Sequence, residues 1–160
     1  MKKFFALCFF ALPLIAGAQD LGIQVGKRAP AAIVRDLSGR PVNLGTYVGK
    51  TPMLIEFWAT WCGNCQHLEP ALLAAQKKYG AQVRFVGVAV SVNQSPERVR
   101  LYAAKHKLKH EILFDDQGNA TDAYDVPATS YIVVVNKQGK IVYTGLGGDQ
   151  NIEAALKKAL

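Results

Sequence analysis

The sequence predicts a single α/β domain built on a mixed β-sheet. Apolar runs of strand length occur at 53–59 and 83–90, and they alternate with segments whose apolar residues have helical spacing. Towards the C-terminus, two strand-like runs flank a turn, which adds antiparallel pairing. With 160 residues, 50% of them hydrophobic and 19% charged, the chain can form one core and is too apolar for a disordered protein.

The first predicted elements form a short hairpin and a buried strand. Residues 19–30 have no regular pattern and predict an irregular lead-in. Residues 31–44 predict two short strands around a Ser38-Gly39 turn. The run at 53–59 is apolar except for Glu56, which is typical of a strand buried on both faces.

Helices and strands then alternate to the C-terminus. Residues 68–80 have apolar residues at helical spacing and end in Gly80, a helix C-cap, and the strand at 83–90 follows. Ser95 and Pro96 are a favourable N-cap and first helical residue for a helix at 95–107. The remaining predicted elements are a strand at 111–115, a short helix at 118–124, a hairpin at 130–145 turned at Gln138-Gly139, and a closing helix at 151–160.

The first 18 residues have the three parts of a secretory signal: two lysines, an apolar run at 4–15 and the small residues Ala-Gly-Ala. The alternative is an uncleaved membrane anchor, but the apolar run is well short of the ~20 residues that span a bilayer. We therefore expect a cleaved signal peptide at 1–18 and an exported, periplasmic domain at 19–160. Cleavage would remove Cys8 and leave Cys62 and Cys65 in a compartment where disulfides persist.

The charge pattern gives no sign of a nucleic-acid partner. The formal net charge is +7, and loss of Lys2 and Lys3 leaves 17 basic against 12 acidic residues, an excess of +5. These basic residues are dispersed, with no basic stretch interleaved with aromatics, so the excess favours solubility. His106 and His110 lie in a lysine-rich segment and are interpreted as part of a solvated basic helix end rather than a metal site.

The C-x-x-C motif of Cys62 and Cys65 lies between a buried strand and a helix, a context typical of thiol redox sites. Unpaired N–H groups at a helix N-terminus stabilise a thiolate, so Cys62 is the expected nucleophile and the more exposed cysteine. Cys65 is placed to attack the resulting mixed disulfide. Gly63 and Asn64 are small and uncharged, which should leave Cys62 accessible to a substrate sulfur.

Three further residues complete the candidate site. Glu56 is an acid in an apolar strand, where burial would raise its pKa and allow it to accept the Cys65 proton, either directly or through water. The alternative is an acid at a strand edge that pairs with a lysine. Pro127 precedes the apolar strand and could hold a cis bond in a tight turn. Trp61, next to Cys62, is a candidate contact surface for substrate.

Together, the segment FWATWCGNC, the acid six residues before Cys62 and the later VPATSYIVV resemble the thioredoxin superfamily. The lead-in hairpin and the helix at 95–107 are similar to the TlpA/ResA branch of exported thiol-disulfide oxidoreductases. The resemblance covers about residues 25–160. It implies a thioredoxin-like fold with an N-terminal β-hairpin extension and an inserted helix. It also implies that Pro127 is a cis-proline beside the disulfide and that the backbone of Val126 binds a substrate strand.

The sequence departs from the family pattern at two positions. Asn64 stands where many members have proline. Leu68 stands where some ResA-like members carry a second acid, which puts a cytochrome-specific pocket in doubt.

The cysteine pair has three alternative uses. Zinc would need two more ligands, and His67 lies on a different helical face from Cys65, but two thiols can still hold Cu(I), so a metallochaperone remains the alternative. A structural staple that closes a two-residue loop would remove little chain entropy. Ala59 and Ile55 stand where a peroxidase site of this fold would carry threonine and proline.

The sequence therefore predicts an exported thiol-disulfide oxidoreductase with no bound cofactor and no metal. The reducing direction is favoured because the resemblance is to reductases and because no cation lies between the cysteines; a disulfide-forming oxidant is the alternative. Expected substrates, by family likeness, are disulfides of exported proteins, including immature c-type cytochromes and respiratory or sulfur-oxidising proteins. The expected electron donor is a membrane thiol carrier.

Overall fold

A computed structural model describes residues 21–160, so the predicted signal peptide lies outside the described residues. The described chain forms seven strands, four α-helices and a short 3-10 helix at Leu44–Thr46. The strands are β1 (Ile33–Asp36), β2 (Pro41–Asn43), β3 (Met53–Trp58), β4 (Arg84–Val90), β5 (Glu111–Asp115), β6 (Tyr131–Val135) and β7 (Ile141–Leu146). The helices are α1 (Gly63–Tyr79), α2 (Pro96–His106), α3 (Asn119–Ala123) and α4 (Ile152–Lys157).

The strands form one mixed sheet in the order β2-β1-β5-β4-β3-β6-β7. The central strands β5, β4 and β3 are parallel, β6 pairs antiparallel with β3, and β7 pairs antiparallel with β6. The β1–β2 hairpin joins the other edge because β1 pairs antiparallel with β5. The predicted element order, mixed sheet and hairpin extension are confirmed, and the fold is thioredoxin-like.

Strand β3 lies at the centre of the sheet and is buried along its whole length. Alternate side chains point to opposite faces. Ile55 and Phe57 enter the core on one face, whereas Leu54 and Trp58 contribute to the clusters on the other face, where the helix α1 packs. Glu56 has the parity of Leu54 and Trp58, so the only acid of the strand points towards α1.

Helix α1 begins five residues earlier than the sequence pattern predicts. The pattern detects the helix from Leu68, but Cys62 is the N-cap and Gly63 is the first helical residue. The first turn has exposed residues at three positions and therefore little apolar periodicity. Its buried positions run from Cys65 through Leu68 to Tyr79 at spacings of three and four, so both the motif and the helix belong to one buried face.

The inserted helix α2 begins as the sequence predicts. The Ser95 side chain accepts a hydrogen bond from the backbone N–H of Arg98, and Pro96 is the first helical residue. The helix ends at His106, with Lys107 in the left-handed region at φ 56°. Within residues 21–160, no helix has both the length and the apolar character needed to cross a membrane.

Candidate active site

The site is a disulfide between Cys62 and Cys65 at the start of α1. The chain leaves β3 at Trp58 and turns through four residues, and the Cys62 side chain then caps the helix by accepting a hydrogen bond from the Cys65 backbone N–H at 3.1 Å. The sulfur of Cys62 therefore lies at the positive end of the α1 dipole. This is the placement that a helix N-terminus needs in order to stabilise a thiolate.

Cys62 is not the more exposed cysteine in this oxidised form, contrary to the sequence prediction. Each of the two residues is 5% exposed, because the Cys62 sulfur is bonded to Cys65 and turned onto the helix start. The residues between them are open to solvent. A Cβ added at Gly63 would meet no atom within 4 Å, and Asn64 is exposed. The approach to the disulfide is therefore across Gly63 and Asn64.

Trp61 forms an exposed wall beside Cys62. It is 44% exposed, and its indole Nε1–H donates to the Val92 carbonyl at 2.8 Å, which fixes the ring direction. The ring borders an apolar groove of about 460 Å³ whose other walls include Val92, Val126, Ala128 and Thr129. Val92 is itself 59% exposed. An apolar surface of this size, bordered by the residue directly before Cys62, is large enough to accommodate a portion of another polypeptide.

Glu56 is buried on the α1 side of the sheet, with 7% of its surface exposed. It lines a small cavity together with Cys65, Trp58 and Glu69. Burial raises the pKa of the Glu56 carboxyl from 4.5 to about 8, and the nearby charge of Glu69 adds to the rise. A carboxyl with this pKa next to Cys65 can exchange a proton with that thiol near neutral pH.

Pro127 does not have the conformation and position expected from the resemblance. Within residues 21–160 no peptide bond is cis, and Pro127 is exposed, four positions before β6 begins at Tyr131. The buried residue directly before β6 is Ser130, whose N–H donates to the Phe57 carbonyl at 2.9 Å. Ser130 also has φ 64°. Proline has no N–H and a fixed negative φ, so it cannot occupy this position in the observed conformation.

The backbone N–H of Val126 is not free to bind a substrate strand, contrary to the expectation from the resemblance. The Val126 N–H donates to the Thr121 carbonyl at 3.0 Å, so this group is already used within the fold. Val126 packs partly against the core and forms one wall of the groove beside Trp61. Ala128 and Thr129 also line this groove, and they directly precede the buried Ser130.

A polar cluster that was not predicted from the sequence lies behind Cys65. Glu69 accepts a hydrogen bond from the Tyr102 hydroxyl at 3.1 Å, and its carboxylate lies 2.9 Å from His106 Nδ1. His106 is therefore a partner of a carboxylate and not part of a solvated helix end. His110 lines the same cavity as Glu56, and burial lowers its pKa while Glu69 opposes that shift. The signal in the sequence was the spacing of four between Cys65 and Glu69, which places both on one helical face.

His67 lies on a different face of α1 from Cys65, as the sequence predicts, and is exposed. Its Nε2 is 2.9 Å from an Asp149 carboxylate oxygen, and both side chains are mostly exposed. In the described part of the chain, no three histidine, cysteine, aspartate or glutamate side chains come together in a way that could hold a metal ion.

Comparison with known proteins agrees with this geometry. The family described as Redoxin matches residues 24–160. The thioredoxin-like protein YneN of Bacillus subtilis is 34% identical over 124 residues, covering 77% of this chain and 72% of YneN. The thiol-disulfide oxidoreductase ResA of Geobacillus kaustophilus is 29% identical over 144 residues, covering 87% of this chain and 80% of ResA.

Among solved structures, the thioredoxin domain of a thiol-disulfide oxidoreductase from Bacteroides vulgatus superimposes with a TM-score of 0.73 at 25% identity, covering 86% of this chain and 99% of that domain. The relatives named as thiol-disulfide oxidoreductases agree with the fold and the cysteine pair of this chain. The chain therefore belongs to the Redoxin family and is a thiol-disulfide oxidoreductase of the thioredoxin superfamily, similar to its TlpA/ResA branch.

Proposed function

We propose that the chain is an exported protein-disulfide reductase that works with the Cys62–Cys65 pair alone, without a bound cofactor. The observation that carries the proposal is the placement of Glu56. A buried carboxyl with a pKa of about 8 lines the cavity that Cys65 also lines, while Cys62 lies at the helix N-terminus. Cys62 is therefore placed to be a thiolate, and Cys65 is placed to transfer its proton to Glu56 when it attacks.

The reaction has two steps. The Cys62 thiolate attacks one sulfur of a substrate disulfide, which forms a mixed disulfide and releases the other substrate sulfur as a thiolate. Cys65 then transfers its proton to Glu56 and attacks the Cys62 sulfur, which breaks the bond between Cys62 and the substrate. Two electrons have passed from the cysteine pair to the substrate, which leaves with two reduced sulfurs. The protein is left as the Cys62–Cys65 disulfide.

The charges around the pair support the reducing direction. An oxidant of this fold is strong when its reduced thiolate form is stabilised. Here Gly63 and Asn64 supply no cation, and the partly buried Glu69, whose charge also raises the pKa of Glu56, lines the same cavity as Cys65. Negative charge disfavours a thiolate, so the disulfide form is relatively more stable and the pair gives up electrons more readily.

The groove beside Trp61 supports a protein as the substrate. It combines an apolar wall with Ala128 and Thr129, and it is bordered by Trp61, the residue directly before Cys62. We propose disulfides of exported proteins as substrates, with immature c-type cytochromes and proteins of respiratory or sulfur-oxidising pathways as the first to test. A membrane thiol carrier would return electrons to the pair.

The reduction potential tests the direction. The protein would be equilibrated with defined ratios of reduced and oxidised dithiothreitol, and the thiol form would be measured by alkylation and mass spectrometry. A value near that of thioredoxin, about −270 mV, supports a reductase, whereas a value near that of DsbA, about −120 mV, would reverse the assignment.

Edman sequencing of protein recovered from the periplasm should begin at Gln19 if the signal is cleaved as proposed.

Turnover tests the use of the pair. Insulin reduction should be lost in Cys62→Ser, and Cys65→Ser should accumulate a mixed disulfide that mass spectrometry detects. The metal content of protein purified reduced and without oxygen is measured in parallel. One copper ion per chain without insulin reduction would contradict the proposal and favour a Cu(I) carrier.

A further inference from the structure

The cavity behind Cys65 connects the reaction site with a second set of polar side chains. Its walls include Glu56, Cys65, Trp58, Glu69 and His110, and the space, about 10 Å³, is close to that needed by one water molecule. The indole Nε1 of Trp58 is buried and has no hydrogen-bond partner among the described residues, and Trp58 is only 3% exposed. A buried donor on the wall of such a space indicates a polar occupant.

Gly87 keeps this space open. It pairs with Glu56 in the β3–β4 ladder, so a side chain at position 87 would lie on the same face as the Glu56 carboxyl. A Cβ there would come within 2.9 Å of Trp58 Nε1 and 3.1 Å of His110 Nε2. Trp58 Nε1 and His110 Nε2 therefore both lie close to position 87, where only glycine leaves the space free of side-chain atoms.

Glu69 lies between this cavity and the protein surface. It follows Cys65 by one helical turn, and its carboxylate bonds to the Tyr102 hydroxyl and to His106 Nδ1. The Tyr102 ring stacks on the His106 ring with centroids 3.8 Å apart, which holds the imidazole in place. The side chains of Glu69 and His106 are 21% and 27% exposed, so this pair joins the closed cavity to the surface.

Glu56 is surrounded by groups from several elements of the fold. From α1 it is faced by Cys65 and Glu69, from α2 by Tyr102, and from the segment before β5 by His110; on the neighbouring strand it faces Gly87. No lysine or arginine lines the cavity among the described residues. Burial and the charge of Glu69 raise the pKa of the Tyr102 hydroxyl, so it stays protonated and acts as a donor that positions Glu69.

We propose that Glu69 and His106 form the outer half of a proton relay that connects Glu56 and Cys65 with solvent, with Tyr102 as a positioning residue. This inference rests on the proposed function. When Cys65 attacks the mixed disulfide, its proton passes to Glu56, and Glu69 and His106 then carry it out to solvent. When the disulfide is reduced again by a dithiol donor, two electrons enter and a proton returns along the same path to Cys65.

The test separates the two sulfur steps by stopped flow with the aromatic disulfide DTNB and reduced protein. Attack by Cys62 releases one thionitrobenzoate, and attack by Cys65 on the mixed disulfide releases a second. We expect Glu69→Gln to slow the second phase about tenfold at pH 7 and to change its pH profile, while the first phase stays within about twofold. Imidazole at high concentration should restore part of the lost rate, because it can carry protons in place of the relay.

Two further variants and a control distinguish a proton relay from a general loss of activity. His106→Gln changes a partly exposed side chain and should slow the second phase in the same direction, and Glu56→Gln combined with Glu69→Gln should be no slower than Glu56→Gln alone, since the residues act in series. The control Glu97→Gln removes an exposed carboxylate from α2 and should leave both phases unchanged.

Some results would contradict the relay, and a different result would contradict the proposed function. A second phase in Glu69→Gln that equals wild type at every pH, or an equal slowing of both phases without rescue by imidazole, would overturn the relay. If the wild-type protein itself releases no second thionitrobenzoate, the proposed function fails instead. The two failures are therefore distinguishable in one experiment.

Discussion

The buried carboxyl of Glu56 should make the stability of the oxidised protein depend on pH. Its pKa is about 8 in the folded protein and near its ordinary value of 4.5 in the unfolded chain. The folded state therefore holds the proton more tightly. The stabilisation is fully present below pH 4.5 and is lost as the pH rises through 8.

The magnitude follows from the shift in pKa. One pKa unit corresponds to about 1.4 kcal/mol, so the full span is on the order of 5 kcal/mol. Between pH 5 and pH 7 the free energy of unfolding should fall by about 2–3 kcal/mol through Glu56 alone. Glu56→Gln has no proton to lose and should lack this component, so its stability relative to wild type should improve steadily over that range.

The assay is urea denaturation of the oxidised protein at pH values from 5 to 9, followed by circular dichroism. The quantity of interest is the difference in free energy of unfolding between wild type and Glu56→Gln at each pH. Glu97→Gln, which removes an exposed carboxylate, should retain the wild-type slope. A difference for Glu56→Gln that is constant with pH to within about 0.5 kcal/mol would refute the reasoning, because linkage requires a slope.

Three further predictions concern the framework of the site. Gly87→Ala should lower the free energy of unfolding by about 1–3 kcal/mol, because its Cβ would press on Trp58 Nε1, whereas Gly63→Ala, where the Cβ meets nothing, should not; urea denaturation compares the two. Ser130→Pro should cost at least about 3 kcal/mol, since it removes the bond to the Phe57 carbonyl and cannot adopt φ 64°, while Pro127→Ala should change the melting temperature little. Asp115→Ala should cost about 1–3 kcal/mol in thermal unfolding, because the buried Asp115 carboxylate accepts from the N–H groups of Ala120 and Thr121; equal losses in Asp115→Ala and its surface neighbour Asp116→Ala would contradict this account.

Much of the fold could be predicted from the sequence because it depends on local patterns. The apolar run of β3, the Ser95-Pro96 helix start and the Gln138-Gly139 turn each express their geometry within a few residues. Helix α1 was predicted to begin late because its first turn is organised by a cysteine cap and not by apolar spacing.

The site could be predicted only in part, because some of its members come from elements that are far apart in the sequence. Cys62, Cys65 and Glu56 could be identified from their order along the chain, but the contact between Glu69 and His106 spans 37 residues and depends on where α2 packs. The expected proline position was wrong because the sequence does not show where β6 begins. Only the pairing of Phe57 with Tyr131 shows that Ser130, and not Pro127, is adjacent to the end of β3.

The two edge strands, β2 and β7, which form the margins of the sheet, limit self-association by strand pairing. At one margin β2 has only three residues and starts with Pro41, which lacks an N–H, so it offers a neighbouring molecule little to pair with. At the other margin the register between β6 and β7 shifts at Val134/Val135, which twists the final strand away from a flat template. An incoming extended peptide is thus discouraged at both margins. A protein substrate of the proposed reductase would therefore meet the chain at the Cys62 end of the sheet and not by strand pairing.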